Sequence, residues 1–98
     1  MTMTDMDQEG AVARKVLVSG RVQGVGFRVA TVEAARRIGV AGTVRNLFDG
    51  RVEAIIEGAP QVVEQMLDWL RSGPPTARVE QVQVTEARPT GASGFELR

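Results

Sequence analysis

The strongest constraint on the fold is the order in which two hydrophobic periods follow one another along the chain. From Lys15 onward, apolar and polar residues alternate at the two-residue period of a β-strand. After several glycines the period becomes that of an amphipathic helix, which we expect to end at Gly39. The residues expected to face the core are Val16, Val18, Gly20 and Val22 of the strand and Phe27, Ala30, Thr31, Ala34 and Ile38 of the helix.

The middle of the chain predicts a β-hairpin. Val40 to Leu47 has the pattern of a second strand and Arg51 to Glu57 that of a third. Asp49-Gly50 between them is typical of a tight turn. In the third strand we expect the core-facing residues to be Val52, Ala54 and Ile56.

The last part of the chain predicts a second helix and two further strands. Pro60 opens a helical pattern that ends near Ser72-Gly73, before two prolines. Its apolar stripe, which predicts core packing rather than a cofactor site, consists of Val62, Val63, Met66, Leu67 and Leu70. A fourth strand is predicted over Arg78 to Glu86, and a short closing strand over Phe95 to Arg98.

The resulting order, strand, helix, strand, strand, helix, strand, favours an α+β sandwich of the ferredoxin-like kind. In that fold an antiparallel sheet of four to five strands carries two helices on one face, so that both apolar stripes are buried. We expect one domain over residues 14–98. Residues 1–13 are polar and acidic without a hydrophobic period, which predicts a disordered tail. The topology alone does not define a function.

Charge and composition exclude several classes of function. The 98 residues include 12 basic and 12 acidic ones, so no global field draws the protein to nucleic acid or to an anionic membrane. The chain has no cysteine and no histidine, which removes thiolate nucleophiles, most zinc sites and the usual proton shuttle. It also lacks an apolar run of about 18 residues and a signal-peptide pattern. We therefore expect a cytoplasmic monomer without metal or cofactor.

The segment from Gly20 to Arg28, between the first strand and the first helix, is the candidate anion site. Its glycines allow a curve that can point several N–H groups inward, and a helix N-terminus favours a bound anion. The Arg28 guanidinium can add a bidentate contact to phosphate oxygens. The segment lacks the Gly-Lys-Ser/Thr ending of a nucleotide loop, and no cysteine is present to attack phosphorus. It therefore predicts phosphate binding without a thiol nucleophile.

The sequence resembles the acylphosphatase family in two places. Gly20 through Arg28 is similar to the first signature of that family. The second signature is similar to Gly42-Thr43-Val44-Arg45-Asn46 followed by Gly50, Val52 and Gly58. The resemblance extends over the whole predicted domain. It implies a ferredoxin-like fold and the hydrolysis of acyl phosphates.

The resemblance also implies roles for individual residues. Arg28 and the loop amides would bind the phosphoryl oxygens, and the Asn46 carboxamide would orient a water for in-line attack. The phosphate-binding loop would consist of Val22, Gln23, Gly24, Val25, Gly26 and Phe27. The family usually carries an aromatic residue in place of Thr43, so we expect thinner packing beside Asn46. The Thr31 hydroxyl is expected to face the loop and to brace Asn46 or a water.

The implied substrate is a small acyl phosphate, with inorganic phosphate as product or inhibitor. The leaving group is a carboxylate whose conjugate acid has a pKa of about 4, so a general acid is nearly redundant. Two alternatives remain open. One is a binding module of the same fold that has lost catalysis. The other is an RNA-binding domain, which would need exposed aromatic residues on the central strands that this sequence does not supply.

Overall fold

The computed structural model describes residues 10–98, and over this range it has two helices and five strands. The strands are β1 (Val12–Arg21), β2 (Ala41–Asn46), β3 (Val52–Gly58), β4 (Arg78–Ala87) and β5 (Phe95–Leu97), and the helices are α1 (Phe27–Ile38) and α2 (Pro60–Ser72). The predicted ferredoxin-like class is confirmed. Gly39 ends α1 as expected, with its N–H donating to the Ala35 carbonyl at 2.8 Å. No helix within residues 10–98 has the length and apolar character needed to cross a membrane.

The strands form one sheet in the order β4-β1-β3-β2-β5. β1 lies antiparallel to β3 and β4, and β2 lies antiparallel to β3. The expectation of a purely antiparallel sheet is wrong, because β5 pairs parallel to β2. β4 runs opposite to β2. Between β4 and β5 the chain crosses from one edge of the sheet to the other and reverses direction, so β5 runs the same way as β2. As a result β1, β2 and β5 run the same way and end at the same side of the sheet.

The core lies between the sheet and the two helices. The predicted inward residues of the central strands are fully buried, and they are Val16, Val18, Val52, Ala54 and Ile56. Phe27 of α1 packs against Trp69 of α2 with ring centroids 5.8 Å apart, and Met66 and Leu70 are also buried. Close packing of these side chains fixes both helices against the sheet, and therefore fixes where α1 begins.

The folded domain begins earlier than predicted. Val12 and Ala13 belong to β1 rather than to a tail, and Ala13 is buried. Val12 pairs with Gly58, and Ala13 pairs with residues on both sides, Glu57 and Ala87. Short-range periodicity did not reveal this extension because it depends on strands that come much later in the sequence. The rest of the predicted tail, residues 1–9, lies outside the described residues.

A buried carboxylate on the face of the sheet opposite the helices holds the crossover to β5. Glu57 accepts hydrogen bonds from the backbone N–H groups of Thr90, Gly91 and Ala92 at 2.9, 2.6 and 3.2 Å, and from the Thr90 hydroxyl at 3.0 Å. Burial acts to raise the pKa of Glu57, but these donors together lower it below the ordinary value. Glu57 thus ties residues 90–92 to β3, just before the chain enters β5.

We expect Glu57→Gln to lower the free energy of unfolding by about 1–2 kcal/mol at neutral pH, because the variant loses charge-assisted hydrogen bonds. The folded-state pKa of Glu57 is lowered, so its stabilisation is present above the ordinary glutamate pKa of about 4.3 and is lost as the pH falls below it. The difference in the free energy of unfolding between Glu57→Gln and the unmodified protein should therefore shrink in acid. Denaturant unfolding from pH 3 to pH 7 measures it, with Glu64→Gln on the exposed side of α2 as the control. A difference independent of pH would contradict this account.

Candidate active site

The turn between β1 and α1 needs glycine for its backbone conformation. Gly24 and Gly26 have φ values of 76° and 79°, in the left-handed region that side chains disfavour. A Cβ at either position would meet nothing within 4 Å, so the requirement is conformational rather than one of space. Gly26 is the N-cap of α1, and among residues 10–98 no side chain caps this helix start. The N–H groups of the first turn therefore point into a position that suits an anion.

A small cavity of about 110 Å³ lies at this helix start. The residues that line it are Val22, Gly24, Gly26, Phe27, Arg28, Val29 and Asn46. Most of the predicted loop thus meets both predicted catalytic residues in one place. The volume is well below the roughly 300–1,000 Å³ of pockets for drug-sized ligands, so it suits a small group such as a phosphoryl. Of the described residues that line it, Arg28 alone carries a charge.

Asn46 reaches the cavity because of the strand directions. It is the last residue of β2, pairs with Val52 at the start of β3, and is exposed. β1 and β2 are both antiparallel to β3, so they end at the same side of the sheet. Asn46 therefore lies at the same end of the sheet as the turn that follows β1, and both line the cavity.

Arg28 is held in place by the last strand. Its Nη1 donates a hydrogen bond of 2.7 Å to the main-chain oxygen of Arg98, the residue after β5. The Arg98 N–H in turn donates to the Val44 carbonyl of β2 at 2.8 Å. Arg28 is thereby linked to the strand that carries Asn46. Sequence reasoning missed Arg98, because a main-chain acceptor leaves no mark on residue identity.

Gln23 and Val25 do not line the cavity. The Gln23 Nε2 donates to the carbonyl oxygens of Leu47 and Arg51 at 2.7 and 2.9 Å, so it ties the turn to the hairpin loop between β2 and β3. The Val25 carbonyl accepts a hydrogen bond of 2.7 Å from the Thr76 hydroxyl, and the Val25 side chain packs against the core. Gln23 and Val25 therefore anchor the turn from its two sides, and their predicted part in the phosphate-binding loop falls to their backbone N–H groups.

We expect Gln23→Leu to lower the free energy of unfolding by about 1–2 kcal/mol, since two hydrogen bonds to loop carbonyls are lost. Asn46 immediately precedes the loop that Gln23 holds, so any enzymatic kcat should fall while the affinity for inorganic phosphate stays nearly constant. Thermal unfolding and phosphate titration measure the two effects. Gln65→Leu, at an exposed position of α2, is the matched control. Unchanged stability together with weakened phosphate binding would instead favour direct contact of Gln23 with phosphate.

The two threonines predicted near Asn46 have other surroundings. The buried Thr31 hydroxyl donates to the Phe27 carbonyl one turn earlier in α1, at 2.7 Å, so it does not brace Asn46. Strand alternation places Thr43 on the face opposite the buried Val44, where it lines a separate cavity with Glu57 and Thr90. The expectation that Thr43 thins the packing beside Asn46 is therefore wrong.

Arg45, the neighbour of Asn46, is directed toward the open face of the sheet. Its Nε lies 2.8 Å from the Glu53 Oε1, and the Lys15 Nζ lies 3.6 Å from the Glu53 Oε2. Lys15 and Arg45 are thus paired with Glu53 on the open face, and neither of them lines the small cavity that contains Arg28. Within residues 10–98, no three acidic side chains gather in a way that could hold a metal ion.

Fold and site together define a small ferredoxin-like domain with a compact cavity, suited to an anion, at the start of its first helix. The chain belongs to the acylphosphatase family, whose sequence profile matches residues 14–97. It is 58% identical over 87 residues to an acylphosphatase of Gloeobacter violaceus. The aligned residues cover 89% of this chain and 94% of that protein.

Solved structures agree with this assignment. An acylphosphatase from Coxiella burnetii superposes with a TM-score of 0.89 at 34% identity, over 94% of this chain and 97% of that one. An acylphosphatase from Bacillus subtilis superposes with a TM-score of 0.84 at 35% identity, over 89% and 98% of the two chains. The chain therefore spans nearly the whole length of these relatives.

Proposed function

We propose that this protein is an acylphosphatase, which hydrolyses the carboxyl-phosphate anhydride of an acyl phosphate to a carboxylate and inorganic phosphate. The observation that carries the proposal is the meeting of Arg28 and Asn46 in one small cavity at an uncapped helix start. Membership of the acylphosphatase family supports the same reaction.

Phosphate binding falls to Arg28 and the backbone. The guanidinium and the N–H groups at the start of α1 would bind the nonbridging oxygens of the phosphoryl group. These donors are fixed before substrate arrives, because the glycine turn is anchored by Gln23 and Thr76 and Arg28 is held by the Arg98 carbonyl. Fixed donors stabilise charge that develops in the transition state without a reorganisation cost.

Asn46 would position the attacking water. Its carboxamide oxygen can accept a hydrogen bond from the water, which then attacks phosphorus in line with the leaving oxygen. The new bond joins the water oxygen to phosphorus, and the bond from phosphorus to the acyl oxygen breaks with its electron pair on the carboxylate. Asn46 cannot accept a proton. The proton of the attacking water therefore passes to the phosphate of the substrate or to solvent.

The leaving group explains why so few residues suffice. A carboxylate leaves without protonation near neutral pH, since its conjugate acid has a pKa of about 4. An alkyl phosphate monoester expels an alkoxide, which needs a general acid that the residues lining this cavity do not supply. The proposed reaction is therefore restricted to good leaving groups and needs neither a metal nor a cofactor.

The test is a direct assay with benzoyl phosphate and with glycerol phosphate as an alkyl monoester. We expect benzoyl phosphate hydrolysis well above the spontaneous rate, undiminished by a chelator, and little turnover of the monoester. Inorganic phosphate should inhibit competitively. Loss of activity in chelator would contradict the metal-free mechanism, and equal turnover of both substrates would contradict the leaving-group argument.

Two alternatives receive less support. A binding module without catalysis was suggested by Thr43, but that residue lies on the open face and away from the cavity. Phosphate binding without any turnover of benzoyl phosphate would favour it. An RNA-binding domain would use the open face of the central strands, where β3 presents Glu53, Ile55 and Glu57 and no aromatic residue. A filter-binding assay at low salt tests that alternative.

We further propose that the protein acts in the cytoplasm as a monomer on a small-molecule acyl phosphate. The small volume of the cavity and the zero formal net charge of the chain support a small, freely diffusing substrate. Gel filtration with light scattering checks the monomeric state.

A further inference from the structure

The position of Arg28 depends on a very short strand. Arg98, whose main-chain oxygen accepts the Arg28 hydrogen bond of 2.7 Å, directly follows β5, which has only three residues. The Arg98 N–H donates in turn to the Val44 carbonyl of β2 at 2.8 Å. A strand of three residues makes few hydrogen bonds, so its place in the sheet depends on what holds the chain on either side of it. A group that fixes the chain before β5 therefore helps to fix Arg28.

Glu57 fixes the chain before β5. Its Oε2 accepts hydrogen bonds from the three backbone N–H groups of residues 90–92, and its Oε1 accepts one from the Thr90 hydroxyl. Glu57 is 7% exposed, and charge-assisted hydrogen bonds that are shielded from water are strong. Two residues further on, the Gly94 carbonyl accepts a hydrogen bond of 3.0 Å from the Gly42 N–H of β2, and β5 begins at the next residue. The entry to β5 is therefore held to both β3 and β2.

Two residues hold this segment from opposite faces of the sheet. The Phe95 side chain is buried in the core on the helix side, and its carbonyl accepts a long hydrogen bond of 3.3 Å from the Arg36 Nη2. On the open face, Glu57 and Arg98 both line one cavity of about 360 Å³. β5 is thus held on the helix side by Phe95 and on the open side by Glu57.

We infer that Glu57 is a positioning residue for the reaction, because it acts through residues 90–92 and β5 to hold the main-chain oxygen of Arg98 where that oxygen orients Arg28. The inference rests on the proposed function, in which Arg28 binds the phosphoryl group. Glu57 itself does not line the small cavity at the start of α1. Without its carboxylate, β5 and the Arg28 side chain would have more freedom to move. The guanidinium would then contact phosphate, and the transition state, less well.

The test is Glu57→Gln, assayed with benzoyl phosphate as substrate and inorganic phosphate as inhibitor, at a temperature at which the variant is folded. Glutamine keeps the shape but offers one acceptor oxygen and an NH₂ group to donors that need two acceptors. We expect kcat/KM to fall by about tenfold, less than the roughly 10²-fold that a misplacement of about 1 Å can cost. The inhibition constant of phosphate should rise by a similar factor. Thr90→Val, which removes the hydroxyl donor alone, should give a smaller change in the same direction.

Two comparisons distinguish positioning from a general loss of stability. Val84→Ala removes core packing from β4, at the edge of the sheet opposite β5. It should lower the thermal stability but leave kcat/KM and phosphate inhibition unchanged. In an Arg28→Ala protein the side chain through which Glu57 acts is gone, so adding Glu57→Gln should cause little further loss of kcat/KM.

The outcomes separate this inference from the proposed function. Unchanged kcat/KM and phosphate inhibition in a folded Glu57→Gln protein would overturn the positioning role and leave the activity standing. An equal loss in Val84→Ala would overturn it too, since lower stability would then explain the effect. The same tenfold loss with and without Arg28 would mean that Glu57 acts by another route. No turnover of benzoyl phosphate by the unmodified protein would reject the proposed function, and the positioning role with it.

Discussion

Arg28→Ala is expected to lower kcat/KM for benzoyl phosphate by about 10³-fold or more, the scale set by arginines that stabilise transferring phosphoryl groups. Arg28 is the charged residue among the described residues that line the small cavity at the start of α1, so no other lining residue can replace its charge. The affinity for inorganic phosphate should fall as well, because the guanidinium is proposed to bind oxygens that the product retains. Steady-state kinetics and phosphate inhibition measure both effects.

Two further variants separate the role of Arg28 from a structural one. Arg37→Ala removes an exposed arginine from the same helix and should leave activity unchanged. Arg28→Lys keeps the charge but loses the planar fork, so it should restore only a small part of the rate. Thermal stability of Arg28→Ala should fall little, since the bond to the Arg98 carbonyl is exposed. Nearly full activity in a folded Arg28→Ala protein would reject the proposed mechanism.

Local patterns were sufficient for most of the fold. In α1, α2 and the hairpin, the spacing of apolar residues is set by residues close together in the sequence. The positions and buried faces of these elements could therefore be predicted. The parallel pairing of β5 and the start of β1 at Val12 depend on contacts between distant segments. The burial of Glu57 has the same origin, because its partners are residues 90–92 of the crossover. Such contacts have no local sequence signal.

For the site, the sequence predicted which residues meet but not what each side chain does. Arg28, Asn46 and the loop glycines line one cavity, as the two family signatures implied. Gln23 lies in the first signature, yet its carboxamide is taken by the hairpin carbonyls. Similarity to a signature identifies the segments that form the site, whereas the direction of a side chain depends on which unsatisfied carbonyls lie within its reach.

The direction of the strands explains why a site forms at this end of the sheet. β1, β2 and β5 end together: the glycine turn follows β1, Asn46 ends β2, and Arg98, whose main-chain oxygen accepts from Arg28, follows β5. An all-antiparallel sheet would have brought β5 in from the opposite direction and placed Arg98 at the other end of the sheet, away from Arg28. The parallel pair that departs from the predicted topology is therefore the one that joins Arg28 to the strand carrying Asn46.

Asn46→Ala is expected to lower kcat by about 10²–10³-fold, the usual cost of removing one fixed polar group from a transition state. The affinity for inorganic phosphate should change little, because Asn46 is proposed to hold the water rather than the phosphoryl oxygens. A lower kcat with a nearly unchanged phosphate affinity distinguishes Asn46→Ala from Arg28→Ala, which should affect both quantities. Asn46 is exposed at the end of β2, so stability should be nearly unchanged.

Asn46→Asp makes the distinction sharper. The substitution preserves shape and an acceptor oxygen but places a negative charge beside the phosphoryl group, so we expect it to bind phosphate more weakly without restoring the rate. Gln65→Ala, which removes an exposed carboxamide from α2, is the matched control. Recovery of the rate in Asn46→Asp would mean that a general base is needed at this position, contrary to the proposed mechanism. A rise in the phosphate inhibition constant of Asn46→Ala with unchanged kcat would mean instead that Asn46 binds phosphate, and that the water is directed by another group.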